Sequence, residues 1–405
     1  MKQPTSAADA APQTTPVSVR AGSPAALLAI VPHLLGFVPE ASLVVIGTAP
    51  PRDRIKVTLR YDLPDPPEEA LAADIAAHAA GVIGSQQMTA AVAVGYGPEP
   101  LVTPLADALR DAFSLAGTDL REFLRVQEGR YWSYLCGDER CCPAAGVPFD
   151  AGTHPASVAL ARDEAPVLAD RAAVAARIAP LRGSTEESMR QATRRAERHV
   201  AQLLGKVRKS ARIGAARHMI AAEGLAAVGR MIAGYRRGDA TATDYEVAWV
   251  TVALRDLRVR DDAWARMDPA HRDAHRRLWT DVVRRAQPGH VAAPASLLAF
   301  VAWQCGDGAL ANVALDRALA DDPSYSMATL LRQVISAGAP PSLARLPMSP
   351  EEVAASYAGI DEATEALDDE DDEDYGAEDE DEDEDYWADL PNPCPAAEPE
   401  LDDEH

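Results

Sequence analysis

The charges of this 405-residue chain are sorted along its length, and that sorting limits what can fold. Residues 361–405 hold 24 Asp and Glu and no Lys or Arg, leaving 39 acidic against 39 basic residues in 1–360. A block of like charge repels itself and buries too little apolar surface to offset the entropy of ordering. The stretch 341–405, which loses its periodicity after Pro340-Pro341, is therefore expected to be a disordered acidic tail. The remainder is electrically neutral, so a formal net charge of −24 excludes neither protein nor nucleic-acid partners for the folded part. Tyr375, Tyr386 and Trp387 interrupt the acidic run, the pattern of a segment that touches something as well as solvating.

No stretch approaches the roughly 18–20 apolar residues that cross a bilayer. Met1 to Arg20 is rich in Ala, Thr, Pro and Gln, without the apolar run of a signal peptide. A cytoplasmic protein with no membrane partner is expected. Five cysteines, an odd number with three crowded together, do not form the even framework of a small secreted domain, so reduced thiols are the default.

Periodicity divides the rest. Residues 1–22 carry few large apolar side chains and are expected to be disordered, and 23–165 read as a mixed α/β domain. There a short helix closes at Gly36, Ser42–Gly47 and Arg54–Leu63 form a hairpin of strands, and a helix opens at Pro66-Pro67. A strand over Thr89–Val94 precedes a helix capped by Thr103 with Pro104 at its first position, followed by extended runs at Leu120–Gln127 and Arg130–Leu135. Residues 166–340 read as an all-α domain, with a capping box at Ser184 to Glu187 and further helices over Tyr245–Val259, Ala270–Arg285, Pro294–Gln304, Gly308–Ala320 and Met327–Ser336. The fold class is an α/β N-terminal domain followed by a helical domain and an acidic tail.

Four patterns carry chemistry. Cys136, Cys141 and Cys142 form C-x4-C-C before Pro143, with His154 as the nearest fourth ligand; thiolates suit zinc, but adjacent cysteines rarely both reach one ion. Buried structural thiols, a zinc site, and redox or nucleophilic chemistry, with Arg140 lowering a thiol pKa, are all open readings. Arg190, Arg194, Arg195, Arg198, Lys206, Arg208, Lys209 and Arg212 share one face of a helix opposite an apolar face. That face is a solvated surface, a dock for an acidic protein or for the chain's own tail, or a nucleic-acid stripe. His271 and His275 sit at i and i+4, the HExxH spacing, but Arg272 replaces the glutamate such hydrolysis needs, and a solvated helix face is the expected reading. Gly95-Tyr96-Gly97 is half of a dinucleotide fingerprint, and neither a phosphate loop nor a nucleophile elbow is present.

Leu298, Ala299, Gly306, Ala311, Ala318, Leu319 and Pro323 take the spacings of a tetratricopeptide unit; with one unit visible, an isolated helical hairpin is expected. Longer segments carry a resemblance: LLGFVPEASLVV from Leu34, YWSYLCGDERCCP from Tyr131, ALRDLRVRDDAW from Ala253, and LLAFVAWQCGDGALANVALDRALADDPSY from Leu297. Over roughly residues 23–335 the chain resembles the actinobacterial family called domain of unknown function 4192. The resemblance implies a soluble bacterial protein and carries over no catalytic residue. The first functional reading is a non-enzymatic interaction or regulatory protein that docks an unidentified protein partner on its helical domain and uses the tail as a modulator. The second is a metal- or thiol-dependent enzyme centred on the cysteines, and the third a nucleic-acid-associated protein using the basic helix over 190–212.

Overall fold

The computed structural model describes residues 21–51, 53–161, 166–205, 210–239, 242–343 and 348–358. Its first half is a six-stranded mixed sheet with helices on both faces. In chain order these are α1 (Pro24–Leu35), β1 (Ser42–Ala49), β2 (Arg54–Asp62), α2 (Glu69–Ser85), β3 (Ala90–Tyr96), α3 (Glu99–Ala116), β4 (Asp119–Gln127), β5 (Arg130–Ser133) and β6 (Val147–Pro148). The strand order is β2-β1-β3-β4-β5-β6. β1 pairs antiparallel with β2 and with β3, Val45 lying opposite Leu59 on one side and Ala93 on the other. β3 and β4 run parallel, as a crossover through α3 requires.

The alternation of side chains along β1 explains its unbroken apolar run. Leu43 and Val45 face α2 and α3 with Ala93, Leu105, Leu109 and Phe113, while Val44 and Ile46 face α1 with Leu27, Leu28 and Val31. A central strand covered on both faces needs apolar residues at every position. The two glycines of Gly95-Tyr96-Gly97 serve this packing. A Cβ on Gly95 would stand 2.4 Å from Val102 Cγ1 of α3, and one on Gly97 would stand 2.8 Å from Leu63 Cδ1. Gly95 admits α3 against the sheet and Gly97 admits the Leu63 side chain.

α3 begins at Glu99, four residues before the expected cap at Thr103, so Pro104 lies inside the helix. Pro98 is the residue at the N-cap position, and the Thr103 hydroxyl is used elsewhere, 2.7 Å from the Tyr134 hydroxyl.

The second half is helical: α4 (Pro155–Leu160), α5 (Arg171–Ala176), α6 (Ser184–Gly205), α7 (Ser210–Arg237), α8 (Asp244–Ala253), α9 (Leu257–Ala265), α10 (Arg272–Arg285), α11 (Ala292–Gln304), α12 (Gly308–Asp321) and α13 (Ser326–Ser336). The single helix expected over 245–259 is broken where Asp256 caps α9, its carboxylate accepting from Arg258 N. Ser184 is the first helical residue of α6 rather than its cap, and the Glu187 carboxylate accepts from Arg190 and Gln191. The capping box lies instead at Thr243 and Glu246, at the start of α8.

α11 is buried at all of its positions and forms the axis of the helical core. Asp321 fixes its start, accepting from the backbone N–H groups of Gly289, Val291 and Ala292. Gly306, at φ 77, makes the turn into α12, and the small residues Ala299, Ala311, Ala314 and Ala318 in the core let the two helices approach closely. The pair is a helical hairpin within a larger bundle.

The reading of 341–405 as tail starts too early. A helix runs over 350–358, opened by reciprocal hydrogen bonds between Ser349 and Glu352, with Val353 buried and the Tyr357 hydroxyl donating to Asp261 of α9. Residues 359–405, with most of the expected tail, lie outside the described residues, as do residues 1–20.

Candidate functional site

The cysteine cluster sits on the loop that leaves β5 after Ser133 and returns at Gly146 into β6, the strand at the end of the sheet. Side chains pin both ends of this excursion. At the start, Ser133 Oγ donates to Glu122 Oε1 (2.7 Å) and accepts from the N–H groups of Leu135 and Cys136 (3.2 and 3.1 Å), turning the chain out of the strand. At the return, Trp132 Nε1 donates to the Ala144 carbonyl, and Arg130 donates to the carbonyls of Ala145 and Gly146. The Trp132 ring carries the Arg125 guanidinium at 3.7 Å and also packs against Gly146. A Cβ on Gly146 would meet the ring at 2.5 Å.

Within this frame the ligand atoms of Cys136, Cys141 and Cys142 all lie within 4.8 Å of one another. Adjacent cysteines rarely both reach one ion, but here the backbone brings the two sulphurs to one side. Cys141 N and Cys142 N both donate to the Asp138 carbonyl, at 3.0 and 2.8 Å, so the chain curls through one tight turn and returns both sulphurs toward Cys136. Three thiolates bound to a tetrahedral zinc ion at about 2.3 Å stand about 3.8 Å apart, so adjustments of ångström size or less would bring the three sulphurs to that spacing.

Proton sharing within the trio is uneven. The backbone N–H of Asp138, followed by the thiols of Cys142 and Cys141, lowers the pKa of Cys136. Burial pushes Cys142 up to about 12, and its hydrogen bonds with the other two sulphurs push the same way. A backbone donor thus makes Cys136 the more readily deprotonated of this pair, and Cys142 the less.

His154 does not complete this set. It stands outside the group of mutually close ligand atoms, and its Nδ1 accepts from Ala156 N at 3.1 Å as the N-cap of α4. Nor does Arg140 tune a thiol: its guanidinium binds the Asp138 carboxylate through Nε and Nη2, and that carboxylate is lowered by the pair. Cys305 is exposed at the end of α11, away from the trio, and Cys394 lies outside the described residues.

The basic face divides. Arg190 forms ion pairs with Glu186 and Glu187, and Arg195 stacks on Tyr245 of α8 at 3.9 Å, while Arg194 and Arg198 are exposed. Lys206, Arg208 and Lys209 lie outside the described residues, and Arg212 is in α7. The two histidines at i, i+4 do not share a solvated face. His271 precedes α10 and meets Asp268, whereas His275 is 1% exposed with its Nε2 facing Arg236. A guanidinium in that position excludes a cation.

Signals beyond the cysteines went unread in the sequence. Trp132 and Gly146, which clamp the loop, are fourteen positions apart and become partners only through the pairing of β5 with β6. No helix among the described residues is long and apolar enough to cross a membrane. No curated protein and no solved structure matches the chain. Residues 24–342, which include the sheet, the cysteine loop and the helical core, match the family described as Domain of unknown function (DUF4192), and the chain belongs to that family.

Proposed function

We propose that the chain is a metalloprotein whose Cys136–Cys141–Cys142 loop holds one thiophilic divalent cation of the zinc type. The reading rests on one observation: three sulphurs, two of them adjacent in sequence, are gathered within 4.8 Å on a loop clamped at both ends. A scaffold organised before binding loses little entropy when the ion arrives, and a divalent ion displaces the protons the thiols share. Three protein ligands leave a fourth position for water or a substrate, and Cys141 is exposed, so that position has access from solvent. Three is the number of protein ligands at catalytic rather than closed structural zinc sites, and it favours the metal-dependent reading over an interaction protein alone.

The test is metal content of the full chain purified without chelators, followed by Co2+ titration monitored for thiolate-to-metal charge transfer. One ion per chain is expected. Cys136→Ser, Cys141→Ser and Cys142→Ser should each weaken binding by at least about 100-fold, since even outer-shell partners of metal ligands contribute roughly 10- to 100-fold. Substoichiometric metal and a cobalt spectrum without the charge-transfer band would refute the site; a disulfide found instead by mass spectrometry would make it a redox centre.

A second reading, docking of an acidic partner or of nucleic acid on the helical half, is supported by Arg194 and Arg198 on the outer side of α6. Retention of nucleic acid by the full chain at low salt, lost in an Arg194→Glu/Arg198→Glu variant, is its measurement.

A further inference from the structure

α7 and α8 frame a cleft of about 350 Å³ lined by Glu223, Ala226 and Arg230 of α7 and by Tyr245 and Trp249 of α8, with α6 flanking it. Helix geometry makes each set a stripe: Glu223, Ala226 and Arg230 follow i, i+3, i+7, and Tyr245 and Trp249 follow i, i+4. α6 adds a third stripe at the same spacing. Its Arg195 guanidinium lies over the Tyr245 ring, 3.9 Å from the centroid, and its His199 ring meets Trp249 edge to face at 5.1 Å. His199 Nε2 is 3.0 Å from the Glu223 carboxylate. Trp249 is buried at the base, whereas Glu223, Ala226 and Arg230 are exposed, so the cleft opens to solvent across the small side chain of Ala226.

The chemistry of the lining selects among ligands. Tyr245 and the small exposed part of Trp249 offer apolar surface to a planar group, and Arg230 of the lining with Arg195 beside it attracts an anion. Stacking occupies the face of the Arg195 guanidinium, while its N–H donors lie in the plane of the group and suit a phosphate. Glu223 would repel a simple aromatic acid. A carboxylate beside an anion-attracting pair is accommodated when the ligand also brings N–H donors. A nucleobase has both a π-face and an N–H edge, and the phosphate attached to it supplies the anion. We propose that this cleft binds a nucleotide, its base against Trp249 and Tyr245, its N–H edge toward Glu223 and its phosphate at Arg230 and Arg195. The site shares no residue with the cysteine loop, so it stands or falls apart from the metal reading.

Calorimetric titration of the full chain with AMP, adenosine and inorganic phosphate tests it. AMP is expected to bind one per chain, with adenosine and phosphate each weaker by about tenfold or more, because each lacks one of the two halves recognised. Arg230→Glu should bring AMP down to the affinity of adenosine. Ala226→Trp, at an exposed position, should fill the cleft and abolish binding of both while the circular dichroism spectrum is unchanged. No binding of AMP, binding of phosphate as strong as that of AMP, or AMP binding that survives Ala226→Trp would each overturn the assignment. Chelation of metal should leave AMP binding as it was.

Discussion

His275 carries a charge state that the fold resists. Burial lowers its pKa to about 4, and the neighbouring Arg236 and then His271 push the same way. Its Nδ1 is buried without a hydrogen-bond partner, and its Nε2 faces the Arg236 guanidinium, so a proton gained there finds no acceptor nearby. The folded value lies below the ordinary imidazole value of about 6.5, so the neutral form is the stabilising one. That contribution is present in full above pH 6.5 and is lost as the pH falls through 6.5 toward 4, by roughly 3 kcal/mol at most. Denaturant unfolding at pH 7 and pH 4.5 measures the loss, and His275→Gln should flatten the difference; an unchanged pH dependence in that variant would place the acid sensitivity elsewhere. The i, i+4 spacing of His271 and His275 was visible in the sequence, but their environments were not. They depend on α7 delivering Arg236 to one ring and on the short turn before α10 leaving the other in solvent.

Among the elements, the cysteine loop is the one whose shape a single methyl group should decide. Gly146 has φ +74, where an L side chain is strained by roughly 1–2 kcal/mol, and its added Cβ would meet the Trp132 ring at 2.5 Å. That ring cannot retreat, because the Arg125 guanidinium lies against it. Gly146→Ala is expected to unseat the return of the loop and reduce metal affinity by about tenfold or more, as loss of an outer-shell support does. Gly137→Ala, in the same loop with nothing within 4 Å of its added Cβ, should bind metal as the parent chain does. Equal affinities in both variants would mean that the clamp does not organise the sulphurs. Much at this scale was legible. The unbroken apolar run of β1, the hairpin with β2, and the turn at Gly36 follow from local patterns that the tertiary structure leaves in force. Local patterns failed where other partners, near or far in the chain, took the same groups. Thr103-Pro104 has the chemistry of a helix start, yet Pro98 already supplies one and Tyr134 claims the threonine hydroxyl. Ser184 to Glu187 has the letters of a capping box, but Arg190 and Gln191 take the glutamate.

At the scale of the molecule, the sheet half and the helical half each have their own apolar core, and Phe37 reaches from the first half into the second. It follows the Gly36 turn at the end of α1, and its backbone neighbours pair with the helical half: Val38 N donates to the Leu168 carbonyl and Leu168 N to the Gly36 carbonyl. Its ring, 3% exposed, packs in the helical core with Val174 and Ile178 rather than against the sheet. Gly338, beyond α13, makes a return contact, where an added Cβ would stand 2.4 Å from Val82 of α2. The segment LLGFVPEASLVV thus supplies a tie between the halves as well as a strand, something no periodicity in one segment could reveal. Phe37→Ala removes a large ring from the helical core while leaving the sheet's own packing intact, and should cost about 3–5 kcal/mol. If the halves unfold separately, hydrogen exchange in the variant should accelerate in α5, α7 and α8 while β1 and β3 keep their protection. Should β1 and β3 lose protection to the same extent, the two cores form one cooperative unit, and the Leu168 pairing transmits the loss across the boundary.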